Sequence, residues 1–379
     1  MNASAIQCKQ IRLAMCLVAM LVGAAGAKAG EWNLPIPLCL ANPVTFIPVW
    51  SIATSRGDLC FVGPPPTAAS TTFLQVPLVY VIVKLKNANN TVAATLDPTQ
   101  PLNVPVNSIQ GFSAGDAVYE SPIFSSRDFT LGSTNLGNVQ WGEVTERASF
   151  WSYPRTNFSN WRVIMQHTTT HSVETLEVPS GSWIETGAPG IYVVDQSVLD
   201  PFLLKVAKLY SGQTPILLTY NVGRNVGSLY YFGYHHTFLD SGVASFFIWG
   251  SYLDAPGVFG QSDLGFLSHE VAEFMHDPFG TNPVRSWPAA FNFSLPWAPP
   301  YMFTTCQTNL EVGDPLEDRS GTELRYVIKT PVMTYHFQNV VTASWFMQAK
   351  PSFSVNGWYT LKGAVDGEFA APAPVCPTP

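Results

Sequence analysis

Apolar positions along this chain fall into short blocks, and the spacing within each block predicts its element. Leu78 to Leu85 is a continuous, largely β-branched run between Pro77 and the turn cluster Asn87 to Asn90, which reads as a buried strand. Residues 101–180 continue as short apolar runs broken by Pro, Gly, Asn and Ser, and predict strands and loops. From Gln196 to Leu209 the period becomes helical, with Val198, Phe202, Leu203, Val206 and Leu209 recurring on one side and Asp200 and Pro201 suited to a first turn. Three strands follow, Pro215 to Tyr220, Ser228 to Phe238 and Val243 to Tyr252, the last two joined as a hairpin across Asp240, Ser241 and Gly242.

The helical period returns after Ser262, which suits an N-cap with Asp263 in the first turn, and it must stop near Asp277 because Pro278 disfavours helical geometry before it. At about 100° per residue, Leu264, Leu267, Val271, Phe274 and Met275 share one arc, while His269, Glu270, Glu273, His276 and Asp277 share the opposite one. Phe279 to Pro300 carries Pro283, Pro288, Pro296, Pro299 and Pro300 with Trp287 and Trp297, and reads as a long ordered loop. Tyr326 to Ile328, Val332 to Phe337 and Ser344 to Met347 read as strands before a Pro/Ala-rich tail from Ala370. Near the start, residues 30–62 are rich in proline and aromatics, and Gly63 to Thr72 has the composition of a stiff linker. No internal repeat is evident. The expected divisions are a signal segment at 1–29, a β-rich region at 30–190, a metal-binding core at 191–320 and C-terminal strands with a tail at 321–379.

Composition changes this picture at the N-terminus. Lys9 and Arg12 precede an apolar, small-residue run from Leu13 to Ala27 that closes in Ala27, Lys28 and Ala29, the pattern of a secretory signal with its cleavage site. The run is shorter than the roughly 20 residues a spanning helix needs, so no permanent membrane anchor is expected and the protein is expected to be secreted or periplasmic. Removing residues 1–29 takes away Lys9, Arg12 and Lys28 and no acids, which moves the formal charge from -7 to -10. An acidic chain without Lys/Arg clusters disfavours nucleic acid and anionic membranes as partners. Cys8 and Cys16 leave with the signal, so Cys39, Cys60, Cys306 and Cys376 remain, and an even number in an exported chain points to two disulfides. Of the three connectivities, sequence proximity favours Cys39 with Cys60 and Cys306 with Cys376. No C-x-x-C is present, which argues against a thiolate zinc site.

The chemistry concentrates on the stretch from His269 to Asp277, in a chain with only 7 histidines and 12% charged residues. An amphipathic helix whose polar side meets water is the plain reading, but no Lys or Arg interleaves to form the usual i,i+4 pairs. A metal accounts for more of the pattern. His269 and Glu273, four residues apart, lie side by side within reach of one cation, and Glu270 is placed to act as general base. Glu311 and Asp314 are the candidates for a third ligand. His276 and Asp277 are further candidates, with helix-end roles as alternatives. His235 and His236 are adjacent on a strand, so at most one faces the site. His167, His171 and His336 have no partner pattern and read as structural. Neither a G-x-S-x-G elbow nor a phosphate or dinucleotide fingerprint occurs, and Gly223 to Gly227 reads as a turn.

The stretch SHEVAEFMHDP from Ser268, followed by EVGD from Glu311, resembles the HE-x-x-E, [ND]P, E-[IV]-G-D pattern of a group of secreted bacterial proteins and of the plant Exordium (phosphate-induced) family, which look like distant relatives of the zincins. Gly233, Tyr234 and His235 are similar to a Gly-Tyr-His element that precedes the helix in them. The resemblance covers about residues 190–320. It implies His269 and Glu273 as metal ligands, Glu270 as base and Glu311 or Asp314 completing the site. Beside this, His235 is a catalytic candidate as a transition-state stabiliser, with a packed strand histidine as the alternative. A carboxylate at Glu273, where zinc hydrolases carry a second histidine, weakens the bound ion as a Lewis acid, so zinc is expected first and calcium or manganese also suit the donor set. These readings lead to an α+β expectation, a β-rich chain with a zincin-like core in which a hairpin and the metal-bearing helix form a cleft walled by Trp287 to Trp297. The expected function is metal-dependent hydrolysis, of peptide bonds in the first place. The rival is a secreted cell-surface or glycan- or peptide-binding protein whose metal site is structural or vestigial.

Overall fold

The structure, a computed structural model, describes residues 44–102, 111–152, 160–168, 171–227, 229–258, 260–293, 301–317, 324–348, 353–363, 369 and 371–376. Its largest sheet has eight strands, and the run predicted from Leu78 lies inside it as strand Leu78–Lys86. That strand pairs in parallel with Ser172–Val178 on one side and with Ile216–Tyr220 on the other. Ile216–Tyr220 pairs in parallel with the long strand Val243–Val258, whose other side takes Gly233–Asp240 as the predicted antiparallel hairpin.

Parallel strands buried on both faces explain the unbroken apolar run. Leu78 and Tyr80 point into one hydrophobic cluster, while Val79, Val81, Val83 and Leu85 point into another. Helix Gln196–Lys208 covers the second face with Leu199, Leu203 and Val206. Helix Gly265–His276, the motif helix, covers the first with Leu267, Val271, Phe274 and Met275, and this cluster draws on residues from Ile47 to Ala373. Each sheet face therefore carries one helix, and the motif helix runs beside the Gly233–Asp240 edge.

The α+β expectation with a zincin-like core is corrected by these elements. Among the described residues, strands form one eight-stranded, one four-stranded and five two-stranded sheets. The five α-helices among the described residues are short, none of them longer than the 13 residues of Gln196–Lys208, so the described chain is β-rich rather than α+β. Frequent proline, glycine and asparagine end helices after two or three turns but are compatible with hairpins.

Several local expectations are also corrected. Ser262 is no N-cap: Gln261–Asp263 is a strand, Asp263 takes a left-handed φ of 39°, and the helix starts at Gly265. Strand Pro283–Phe293 pairs with Tyr301–Asn309 where a long loop was expected. Prolines fit there because each strand of a two-stranded hairpin has a free outer edge. Trp287 is not a cleft wall; it is fully buried against Trp345 and Phe346, with its indole N–H donated to the Asn309 carbonyl at 2.9 Å. Trp297 lies outside the described residues. Ser344 to Met347 is helix Ala343–Phe346, Gly223 belongs to strand Val222–Val226, and the expected linker holds a short helical turn, Pro66–Ala68, and strand Thr71–Val76.

A disulfide joins Cys306 to Cys376 across 70 residues, as sequence proximity suggested. Cys60 is disulfide-bonded as well. Its expected partner Cys39, like the signal segment, lies outside the described residues. No helix among the described residues is long and apolar enough to cross a membrane.

Candidate metal centre

The motif helix is buried on all sides. His269, Glu270 and Glu273 are buried too, at 3%, 7% and 4% exposed against 0% for the apolar arc beneath them. The cause is close approach at glycines: a Cβ on Gly250 of the long strand would lie 2.9 Å from the Leu267 Cα, and one on Gly142 would lie 3.1 Å from Met275. With the apolar arc pressed against the sheet, the polar arc meets the Gly233–Asp240 strand and the segment from Glu311 to Glu317 instead of water.

His269 is the hub. Its Nε2 is 3.0 Å from Glu273 Oε1, 3.5 Å from Asp314 Oδ1 and 3.9 Å from Glu270 Oε1, and its Nδ1 is 3.8 Å from Glu317 Oε1. Gly313 explains how the E-V-G-D segment comes so close. A Cβ there would lie 2.4 Å from His269 Nδ1, and the Gly313 N–H donates to Glu273 Oε1 at 3.0 Å. Gln338 fixes the segment by donating to the Gly313 carbonyl, and Gln307 donates to Asp314 Oδ2 at 2.9 Å. Gly233 plays the matching part opposite, since a Cβ on it would lie 2.7 Å from Glu270 Cγ.

Two groups of ligand atoms result, each within 4.8 Å: His269 with Glu273 and Asp314, and His235 with Glu270 and Glu273. Of the two third-ligand candidates, Asp314 joins a group. Glu311 belongs to neither, but stands beside them with Oε1 accepting from Asn309 Nδ2 and Oε2 buried without a partner. His235 faces the site and His236 does not, as strand alternation requires. His235 Nδ1 is 3.2 Å from Glu270 Oε2, and its Nε2 donates to the Asp277 carbonyl at 3.0 Å. His236 packs on Tyr234 and Phe247, with burial and then the neighbouring His235 lowering its pKa to about 4.

His276 and Asp277 are not ligands. His276 shares His269's side of the helix but lies about 10 Å further along the axis, where its neighbours are Phe61 and Phe150. Its Nδ1 donates to the Ala272 carbonyl, its Nε2 accepts from Ser149 Oγ, and burial lowers its pKa to about 4. Asp277 closes the helix by accepting from the N–H groups of Thr281 and Asn282. His336 holds Asp263 at the other end, donating to it from both its backbone N–H and its ring. Glu317 escaped the sequence reading, although it lies three residues after Asp314 across the helical turn Asp314–Leu316, a spacing that returns a side chain to the same side. Tyr231 was missed too: burial, then the charge of Glu317, raise its phenol to about 12.

The electrostatics ask for protons or a cation. Burial and then neighbouring acids raise Glu273, raise Glu311 well above its ordinary value and bring Glu317 to about 8. Burial disfavours protonation of His269 and His235, but surrounding acids prevail and raise both, chiefly Glu273 for the first and Glu270 for the second. Among the described residues no Lys or Arg pairs with any of these carboxylates. Buried carboxylates of like charge with unpartnered polar atoms, here Glu311 Oε2 and His269 Nδ1, must hold protons or a cation. Imidazole and carboxylate within these distances are a suitable donor set for a divalent ion.

Comparison with known proteins returned no match, whether to a family model, a curated protein or a solved structure.

Proposed function

We propose that this chain is an exported, metal-dependent hydrolase that cleaves peptide bonds, with His269, Glu273 and Asp314 holding a divalent ion and Glu270 acting as the base. Zinc is the first expectation, with manganese or calcium compatible with two carboxylates and one imidazole. The observation that carries this reading is the placement of Glu270, beside the ligand group but held by a different partner, His235. The bound ion would supply Lewis-acid polarisation of the scissile carbonyl and acidify a water.

The chain's own residues handle the proton. The Asp277 carbonyl can only accept, so His235 Nε2 carries a hydrogen and Nδ1 is the ring atom turned to Glu270 Oε2. A proton taken up by Glu270 at Oε2 is thereby held between the carboxyl and His235 Nδ1, ready to be passed to a leaving amine. His235 thus acts through Glu270, as a positioning residue rather than one that touches substrate. Asp314 and Glu317, with side chains 17% and 29% exposed, mark the more open side from which a substrate would approach. Export is supported by the disulfides and by the signal-like N-terminal sequence.

Purified protein should contain at least one equivalent of divalent ion, and the double variant His269→Ala, Glu273→Ala should lose it; full retention would remove the assignment. Once a peptide and ester library has revealed an activity, Glu270→Gln should keep the ion and lose about 10²- to 10⁴-fold in turnover. Near-normal turnover would exclude Glu270 as the base. A metal-loaded protein inactive across the library would favour the rival, a binding protein for peptide or glycan with a structural ion, a reading that the deep burial of Glu270 and Glu273 also suits.

A further inference from the structure

We propose that the same cluster takes a second divalent cation, at His235, Glu270 and Glu273, and that this ion shuts the site by occupying the base. The inhibitory effect rests on the hydrolase reading; the existence of the second site rests on geometry alone.

Glu273 belongs to both groups of ligand atoms. Its Oε1 is 3.0 Å from His269 Nε2, and its Oε2 is 3.9 Å from His235 Nδ1. One carboxylate can therefore give an oxygen to each of two ions, as in paired-metal sites with ions about 3.5 to 4 Å apart. His235 is oriented from outside the cluster. The backbone carbonyl of Asp277 holds Nε2, which aims the Nδ1 lone pair at Glu270 and Glu273. A lone pair facing two carboxylates is repelled unless a proton or a cation lies between them, and a carbonyl that fixes the far nitrogen is the usual support of a metal-binding histidine.

A second, independent observation is Glu311 Oε2, buried with no hydrogen-bond partner. Burial raises its carboxyl, and the charge acting most on it is that of Glu273, the carboxylate that both groups share. Charge balance agrees. Glu270, Glu273, Asp277, Glu311, Asp314 and Glu317 carry -6 when ionised; one divalent ion leaves -4 and two leave -2. The His269 group, which includes the more exposed Asp314, fills first. The second ion must displace the proton shared by Glu270 and His235, so it binds more weakly and only at higher metal concentration.

The test is a zinc titration of the chelator-stripped full chain, followed by calorimetry and by metal counting after equilibrium dialysis. Wild type should bind two equivalents with affinities at least about tenfold apart, whereas His235→Ala should bind one, with the tighter affinity kept. His235→Gln and circular dichroism of both variants guard against a folding defect. Saturation of wild type at one equivalent, or two equivalents retained by both His235 variants, overturns the second site. Where hydrolysis is present, it should peak at one equivalent and fall at least about tenfold at two; unchanged hydrolysis at two overturns the blocking role. Two equivalents in wild type, one in the variants and no hydrolysis at either loading would leave the second site standing and remove the hydrolase reading instead.

Discussion

Two groups of buried carboxylates lie on helices that touch, and they are matched in different ways. Helix Trp141–Ser149 packs on the motif helix, with the Trp141 indole N–H donated to the Ser268 carbonyl at 2.9 Å. On it, Glu143 accepts from Arg162 Nε and Nη2, both at 2.8 Å, and from the Gln140 N–H. Arg147 donates to the carbonyls of Leu136 and Trp161. Only Glu146 is left poorly matched: burial, then the charge of Glu143, raise its carboxyl well above the ordinary value. Among the described residues no guanidinium pairs with the acids of the motif helix. In the first group an arginine of the chain supplies the positive charge; in the second, two histidines stand among the acids in groups that could hold a metal ion.

The largest effect should come from making the first group resemble the second. Arg162→Met leaves Glu143 buried and unpaired, and should cost about 3 kcal/mol in urea unfolding while the zinc content stays unchanged. A loss below about 1 kcal/mol would mean that the pair does not hold the helix. A smaller effect is expected at Gly313, where alanine would press its Cβ on the His269 ring and disturb the N–H that holds Glu273. Zinc affinity by chelator competition should fall about 10- to 100-fold. Unchanged affinity would separate the E-V-G-D segment from the metal.

The smallest effect per step is in pH. Glu317 has a folded-state pKa of about 8 against an ordinary 4.5, and Glu273 and Glu311 are raised as well. The folded metal-free chain therefore keeps protons that the unfolded chain has already lost. Its stability is fully present below about pH 4.5 and declines as pH rises through 8, on the order of 1 kcal/mol per pH unit at the steepest. Zinc-loaded protein should lose most of this slope, because the ion takes the place of the protons. Glu146 contributes equally to both forms and cancels in the difference. Equal slopes with and without zinc would mean that the ion does not bind among these acids.

Periodicity was enough for the strand at Leu78–Lys86, the helix at Gln196–Lys208 and the hairpin turning at Ser241, because each follows from the repeat of a single element; of His235 and His236 it said only that at most one faces the site. The i,i+4 spacing of His269 and Glu273 likewise holds on any helix, and Asp314 came from motif pairing. The burial of the polar arc could not be read in this way. Water or protein opposite an arc is decided by which distant segment packs there, and here that choice depends on Gly233, Gly250 and Gly313 admitting backbone where a Cβ would collide. Trp287 and His276 show the same limit, since a proline-rich stretch can pair as a hairpin and a histidine can meet phenylalanines instead of carboxylates. Local sequence sets the direction in which a side chain points; contacts between residues far apart in the chain set what it finds there, and for buried ionisable groups that neighbour decides whether the group binds a cation, holds a proton or caps a helix.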